Sequence, residues 1–234
     1  MTAKNIRLYS GASLAISNNA QVSLEYDLIT YPGANLIVSG NSVIRPRQIF
    51  LPFSPAAGVD DEWVMDGGTL CATNTTTHRL VLSYTNAVKT ISGTGTFILD
   101  RLYLNYATNV TLRLNGPDVY VRQNPAGAKT VLRLSNGSTV GVWGQNMSLA
   151  SVTTVIDGEA VFDTTDHQDG ETARKISTAS LQGNSGNGNL TVKGNGTCSF
   201  TGTDAQANFG LVGKDSVTIT CPNTSGFYAV GDIV

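Results

Sequence analysis

Seven ionisable side chains lie close together in one polar stretch of the sequence: Asp157, Glu159, Asp163, Asp166, His167, Asp169 and Glu171. Enzymes that hydrolyse polysaccharides place two carboxyl groups about 5 to 10 Å apart on either side of the glycosidic bond. Asp157 and Glu159 would share one strand face if that segment stays extended, because alternate residues of a strand point the same way. The candidate catalytic residues, if the chain is an enzyme, are Asp157, Glu159, Asp163 and Asp166. The alternative, which we favour, is that loops collect Asp and Gly for turn geometry and solubility.

Other catalytic and cofactor signatures are absent from the sequence. It contains no Gly-x-Ser-x-Gly, no phosphate-binding loop, no dinucleotide fingerprint and no His-Glu-x-x-His. The three cysteines lack metal-type spacing, and no calcium-loop pattern is present. We therefore expect no cofactor and no metal site. Trp143 and Tyr120 offer flat surfaces for sugar rings, although buried packing is the favoured interpretation.

Composition narrows the classes of partner. The chain has 234 residues and 24.6 kDa, with 15 basic and 17 acidic side chains and a net charge of −2. Charged residues make up only 14%, whereas 41% are hydrophobic and spread along the chain. We expect no nucleic-acid partner, because a basic surface is lacking, and no membrane span, because no apolar run reaches the roughly 18 residues required. The first residues show no signal-peptide pattern.

The elements that must position these residues are strands. Alternating apolar and polar residues occur at Asn109–Leu114, Thr130–Leu134, Asn189–Lys193 and Asp215–Thr220. This period of two is typical of half-buried strands. No segment repeats apolar residues with helical spacing over a dozen positions. The sequence therefore predicts an all-β protein.

Glycines that follow the strands recur at nearly constant intervals, at Gly93, Gly116, Gly137 and Gly158. The interval from Gly158 to Gly194 is longer, and we interpret it as two shortened units. Glycine fits such turns because a sharp bend needs a positive φ. A period of about 20 residues without helices predicts a single-stranded parallel β-helix, or β-solenoid, with irregular coils. The alternative is a β-sandwich or jelly roll.

A proline-rich apolar segment interrupts the pattern. It divides the chain into an N-terminal β segment or first coils (1–44), a loop or docking segment (45–68) and a β-solenoid (69–234). Three of the seven prolines lie within 45–55, and we expect them to prevent regular ladder pairing. The segment either folds over the solenoid or docks on another protein through four apolar residues: Ile49, Phe50, Leu51 and Phe53.

The apolar residues 227–234 suggest an uncovered strand edge at the end of the solenoid. Such edges must be capped, charged or covered by a partner. Coverage by a neighbouring subunit or by another protein is the simplest arrangement, and because closed symmetry favours identical subunits we expect a homo-oligomer.

The richness in Ser, Thr, Asn and Gly, the short repeating coils, the missing signal peptide and the proline-bearing N-proximal segment together resemble the parallel β-helix proteins of bacteriophage particles. These include tailspikes, tail fibres, and capsid fibre or decoration proteins. The resemblance is architectural and covers residues 69–234. It implies a trimer, anchoring through residues 1 to about 66, and a location in the virion after assembly in the host cytoplasm.

The function implied by this resemblance is that of a non-enzymatic structural protein of the phage particle. Its expected partners are other virion proteins, with host surface glycans as an additional contact. Two alternatives stay open: a small tailspike-like polysaccharide depolymerase, either a hydrolase or a lyase, and a bacterial surface adhesin. The chain is short for a depolymerising tailspike, which favours the structural role.

Overall fold

The structure is a computed structural model of the chain. It describes residues 1–31, 33–51, 61–72, 79–82, 88–103, 110–125, 130–183, 188–200, 209–213, 218–220 and 228–229. Within these ranges it contains strands and turns and no helix, so nothing there has the length and apolarity of a membrane-crossing helix.

Twenty-six strands follow one another along the described chain. In order they are β1 Thr2–Ala3, β2 Ile6–Leu8, β3 Ser13–Ile16, β4 Gln21–Leu24, β5 Asp27–Thr30, β6 Asn35–Val38, β7 Val43–Arg45, β8 Gln48–Leu51, β9 Asp61–Ala72, β10 Arg79–Leu82, β11 Val88–Leu99, β12 Arg101–Tyr103, β13 Val110–Asn115, β14 Asp118–Val121, β15 Thr130–Ser135, β16 Ser138–Val142, β17 Met147–Ser148, β18 Thr153–Asp157, β19 Glu159–Asp163, β20 Lys175–Thr178, β21 Leu181–Gly183, β22 Gly188–Lys193, β23 Thr197–Phe200, β24 Phe209–Gly213, β25 Thr218–Thr220 and β26 Tyr228–Ala229.

The strands stack as the coils of a β-solenoid. The largest sheet runs β1-β4-β7-β9-β11-β14-β16-β19-β22-β24-β26. A second ladder of the same sheet, β13-β15-β18-β21, branches from β11. Every strand pair described is parallel, as in the five-stranded sheet β12-β10-β8-β5-β2. Sandwiches and jelly rolls are built from antiparallel strands. The predicted solenoid is therefore confirmed, and the alternative is excluded.

The coil length follows from the register. Asp118 pairs with Thr139 in the next coil, and this sequence spacing is the same as that between Gly116 and Gly137. The interval after Gly158 differs from the expectation. Asp163 pairs directly with Lys193, so the stretch between Gly158 and Gly194 belongs to one long coil and not to two short ones. The extra length is a loop, residues 164–174, between β19 and β20.

The core is a stack of aliphatic columns inside the coils. Leu114, Leu134 and Ile156 occupy one register column, and each is at most 1% exposed. Val119, Val140, Phe162 and Val192 form a second column. Each fully buried side chain of this size contributes roughly 1.5–3 kcal/mol of hydrophobic stabilisation. The outward residues between them are free to carry polar groups.

The proline-rich segment differs from the sequence-based expectation. Residues 48–51 form β8, which pairs with β5 and β10, and residues 61–68 belong to β9. Ladder pairing is therefore not prevented. The physical reason is that Pro46 and Pro52 flank β8, so each of its four residues keeps its backbone N–H. Residues 52–60 lie outside the described residues.

Candidate functional site

A repeated corner of the coil carries the candidate site. Gly116, Gly137 and Gly158 separate three successive strand pairs and have φ values of 107°, 74° and 87°. Side chains rarely adopt this left-handed backbone. At Gly116 a Cβ atom would also lie 2.5 Å from the carbonyl oxygen of Gly93. The corners predicted from these glycines are confirmed.

An open groove of about 470 Å³ runs along this corner. Its lining residues come from three coils: Arg113, Asn115, Ser135, Asn136, Asp157, Gly158 and Glu159. Asp157 ends β18 and Glu159 begins β19, so the turn at Gly158 separates them. The segment is not one extended strand, and the condition for a shared strand face is not met. Both carboxylates nevertheless line the same groove.

Asp157 is held by two arginines. Its Oδ2 atom lies 2.9 Å from Nη2 of Arg113 and 3.4 Å from Nη1 of Arg133. The two arginines are register partners on β13 and β15, one strand spacing apart. Their like charges repel, and the single carboxylate between them offsets that repulsion. The pair of contacts ties Asp157 to the two preceding coils.

Neutral hydrogen bonds also join two of these coils, the coil of β13 and the coil of β15 and β16. The Ser135 hydroxyl donates to Oδ1 of Asn115 at 3.1 Å, and the Ser138 hydroxyl donates to the carbonyl oxygen of Leu114 at 3.1 Å. Both serines are buried. Buried hydroxyls need such partners because an unsatisfied polar group is costly. Hydrogen bonds between coils therefore hold Asn115 and Ser135, which line the groove, in place.

Asp163 lies at the far end of β19 from Glu159. Its Oδ2 atom lies 3.3 Å from Nζ of Lys193, its register partner in the next coil. Its Oδ1 atom accepts a hydrogen bond from the backbone N–H of Thr165 at 3.1 Å. Asp163 therefore joins two coils and shapes the start of the 164–174 loop.

Asp166 is a buried structural carboxylate with a side chain only 1% exposed. It accepts hydrogen bonds from the backbone N–H groups of Gly144 (2.8 Å) and Gln168 (2.9 Å) and from Nε of Arg174 (2.8 Å). Burial pushes the pKa of Asp166 upward, but these donors and the Arg174 charge together hold it below its usual value. A carboxylate kept ionised in this way cannot serve as a general acid near neutral pH.

The four docking candidates have different positions. Ile49 is fully buried in the core, so its side chain packs within this chain rather than against a partner. Phe50 occupies the register column of Ile29, between Ile29 and Val81. Leu51 is the register partner of Leu82. Phe53 lies outside the described residues.

The aromatic candidates pack against each other. Tyr120 is buried and its ring stacks on that of His167, with ring centroids 3.7 Å apart. Trp143 lies beside them, half-buried. In the described part of the chain, no group of three or more His, Cys, Asp and Glu is arranged to hold a metal ion.

Sequence reasoning missed the cations of the site. Arg113 and Arg133 stand in identical Leu-Arg-Leu triplets, and the two triplets are aligned in successive coils. A triplet repeated at the coil period signals two guanidinium groups stacked on one face, and a compensating carboxylate one coil further is then expected. Arg174 and Lys193 carry no comparable signal.

Comparisons with known proteins give no family assignment: no protein-family model, no curated protein and no solved structure matches the chain. The site must therefore be interpreted from its own geometry.

Proposed function

We propose that this chain is a non-enzymatic structural protein of a bacteriophage particle, either a capsid decoration or fibre protein or part of a tail appendage. In this proposal it is located in the virion and assembles in the host cytoplasm. Other virion proteins are its neighbours and host surface glycans are an additional contact. The phage assignment rests on the architectural resemblance described above.

One observation carries the structural role: three of the four candidate catalytic carboxylates are engaged by cations that connect coils or fix a loop. Asp157 binds Arg113 and Arg133, Asp163 binds Lys193, and Asp166 binds Arg174. A carboxylate that is already paired with a cation of its own chain is less available to a substrate, and Asp166, whose pKa is held low, cannot supply a proton near neutral pH. These contacts favour a role in holding the rod together.

Assembly is proposed to use the outer face of the five-stranded sheet. Leu28 and Ile49 in this sheet are fully buried, whereas Arg7 is exposed and Ile29 is half-buried, so Arg7 and Ile29 belong to the outer face. The register column of Arg7 and Ile29 continues along the sheet through Phe50, Val81 and Tyr103. This column is mostly apolar, whereas a column of the largest sheet pairs the charged residues Asp163 and Lys193. An apolar column of this kind suits side-by-side packing of three copies.

Light scattering tests the proposed trimer. The wild-type protein is expected at three times the 24.6 kDa mass of the chain. Phe50→Asp should reduce the mass to that of a monomer, because a charge in the interface would be desolvated without a partner. Val161→Asp is the matched control, since Val161 lies on the outer face of β19 and outside the proposed interface. A monomeric wild type, or a trimer that survives Phe50→Asp, would overturn the proposed assembly.

A second candidate function is favoured by one specific feature, since Asp157 and Glu159 line one groove. Polysaccharide cleavage at this groove would require both carboxyl groups. Glu159→Gln and Asp157→Asn should then each abolish release of reducing ends or unsaturated products from bacterial surface polysaccharide. Absence of such products with the wild-type protein would favour the structural role.

A further inference from the structure

The groove at the repeated corner runs along the axis of the rod. Arg113 and Asn115 come from β13, Asn136 from the turn after β15, and Glu159 from the start of β19. Neighbouring strands lie about 4.8 Å apart, so the three coils span roughly 10 Å along the axis. A chain-like ligand that lies parallel to the rod can therefore contact all three coils at once.

Three side chains that line the groove keep hydrogen-bonding groups for a ligand. Asn136 and Glu159 are exposed, and within the described part of the chain their side chains take part in no hydrogen bond or ion pair. Asn115 accepts the Ser135 hydroxyl through Oδ1 at 3.1 Å, which leaves its Nδ2 donors available. The groove thus offers an amide donor, a complete amide group and a carboxylate acceptor.

The charges of the groove cancel. Arg113 and Arg133 both contact Oδ2 of Asp157, at 2.9 and 3.4 Å, and Glu159 adds a second carboxylate. An anionic ligand would have to compete with Asp157 for the guanidinium groups and would be repelled by Glu159. A metal ion would face Arg113, and the residues that the structure describes hold no group of three or more His, Cys, Asp and Glu suited to one. The groove therefore favours an uncharged ligand.

The lining also argues against a ligand held by apolar contact. All seven lining residues are polar or glycine, so a hydrophobic molecule or an apolar peptide side chain would find no apolar surface to pack on. A hydroxyl group both donates and accepts hydrogen bonds, and it therefore suits a site that presents amide donors beside a carboxylate acceptor. Uncharged molecules that carry such hydroxyls along a chain are saccharides.

We propose that the groove binds a neutral saccharide chain lying along the rod, and binds it without cleavage. Hydroxyl groups of the saccharide donate to the Glu159 carboxylate and pair with the amides of Asn115 and Asn136. Cleavage is not expected, because Asp157, the second carboxylate, is already paired with two arginines. The proposed function includes host surface glycans as a contact, and the saccharide site depends on that part of it alone.

The test is binding of the labelled full chain to an array of bacterial surface oligosaccharides with neutral, acidic and amino-sugar members. The wild-type protein is expected to bind neutral members. Glu159→Ala and Asn136→Gly should each lower the affinity for the bound oligosaccharide roughly fivefold to tenfold in calorimetry, because each removes hydrogen bonds to the ligand. Glycine is used at Asn136 because that residue has a φ of 54°.

Two further variants are matched controls. Glu171→Ala removes an exposed carboxylate in the 164–174 loop. Asn18→Gly makes the asparagine-to-glycine change at another exposed position with a positive φ, 58°. Both residues lie outside the groove, so both variants should bind like the wild type.

Binding limited to acidic or amino-sugar members, an affinity that is unchanged in Glu159→Ala and Asn136→Gly, or no binding to any member would overturn the saccharide site. Mass spectrometry of the bound oligosaccharide after incubation checks for cleavage, and shortened products would contradict binding without cleavage.

Light scattering of the same wild-type sample separates failure of the saccharide site from failure of the proposed assembly. A trimer that binds no oligosaccharide overturns the saccharide site and leaves the structural role in place. A monomer that binds neutral oligosaccharides through Asn136 and Glu159 supports the saccharide site and overturns the assembly.

Discussion

The chain changes direction at two corners of the coil, and the two corners are built differently. At Gly116, Gly137 and Gly158 one turn is repeated in successive coils, and a partly exposed carboxylate, Asp157, connects its own coil to the two preceding ones. At the other corner a single loop, residues 164–174, leaves the coil and folds around one buried carboxylate, Asp166. The repeated corner spreads its stabilisation over several equivalent contacts. The loop concentrates it in one residue, and mutations should separate the two cases.

The largest effect is expected for Asp166→Ala. It leaves two backbone N–H groups and the Arg174 guanidinium without their acceptor in a buried setting. Removal of one partner from such a pair costs about 3–5 kcal/mol of unfolding free energy. Urea unfolding measures the loss.

Asp169→Ala is the comparison in the same loop. Asp169 is exposed and its described hydrogen bonds go to Glu171 and Thr172, so a smaller loss than for Asp166→Ala is expected. A loss for Asp166→Ala no greater than that for Asp169→Ala would show that the loop does not depend on its buried carboxylate.

A smaller effect is expected at the repeated corner, where two glycines form a matched pair. Gly158→Ala adds a Cβ atom in open space and costs only the positive φ, about 1–2 kcal/mol. Gly116→Ala adds the same backbone strain plus a contact of 2.5 Å with the Gly93 carbonyl oxygen, so it should cost more. Thermal unfolding of both variants checks the order, and equal melting temperatures would contradict the close coil approach.

Acid should weaken the loop. The pKa of Asp169 is lowered to about 2, chiefly by the Thr172 hydroxyl and backbone N–H, and the pKa of Asp166 is also lowered. Because both folded-state values lie below the unfolded one, this stabilisation is present above pH 3.8 and is lost as pH falls towards 2. Unfolding free energy measured from pH 5 downward should decline in this window.

In Asp169→Asn the decline below pH 3.8 should be shallower, since one of the two carboxylates no longer titrates. A decline as steep as that of the wild type would show that Asp169 contributes nothing to the acid sensitivity.

The smallest effect is expected for Asp157→Asn. Its side chain is 24% exposed, and partly solvated ion pairs contribute up to about 1 kcal/mol. The loss should shrink at high salt, because exposed charges are screened. A loss that is independent of salt would indicate that the Arg113 and Arg133 contacts are not electrostatic in origin.

The sequence predicts the repeated corner far better than the loop. Each coil turn needs a positive φ, and glycine at Gly116, Gly137 and Gly158 makes that need visible as a period. The 164–174 loop has no such repeat. Its extra length makes the interval from Gly158 to Gly194 long enough to be mistaken for two short coils. No sequence pattern around Asp166 indicates that Gly144 and Arg174 both bind it, because Gly144 lies 22 residues away and Arg174 lies at the other end of the loop.

The candidate site is predictable only in part. Asp157 and Glu159 do line one groove, but the turn at Gly158 arranges them, and the expectation of an extended segment ignores this turn even though the glycine belongs to the period. The exclusion of residues 48–51 from the ladder is wrong because the position of each proline matters more than its number. Pro46 and Pro52 flank β8 and leave its donors intact.

The parallel stacking of coils underlies every contact described between strands, and one distance tests it directly. Thr96, Asp118, Thr139, Val161 and Thr191 form one register column. Spin labels at positions 96 and 191, in a chain whose cysteines are replaced, should lie about 19 Å apart, which is four strand spacings. Electron paramagnetic resonance that gives a narrow distribution near this distance would support the account. A distance well beyond about 30 Å, or the broad distribution of an unfolded segment, would contradict the coil register.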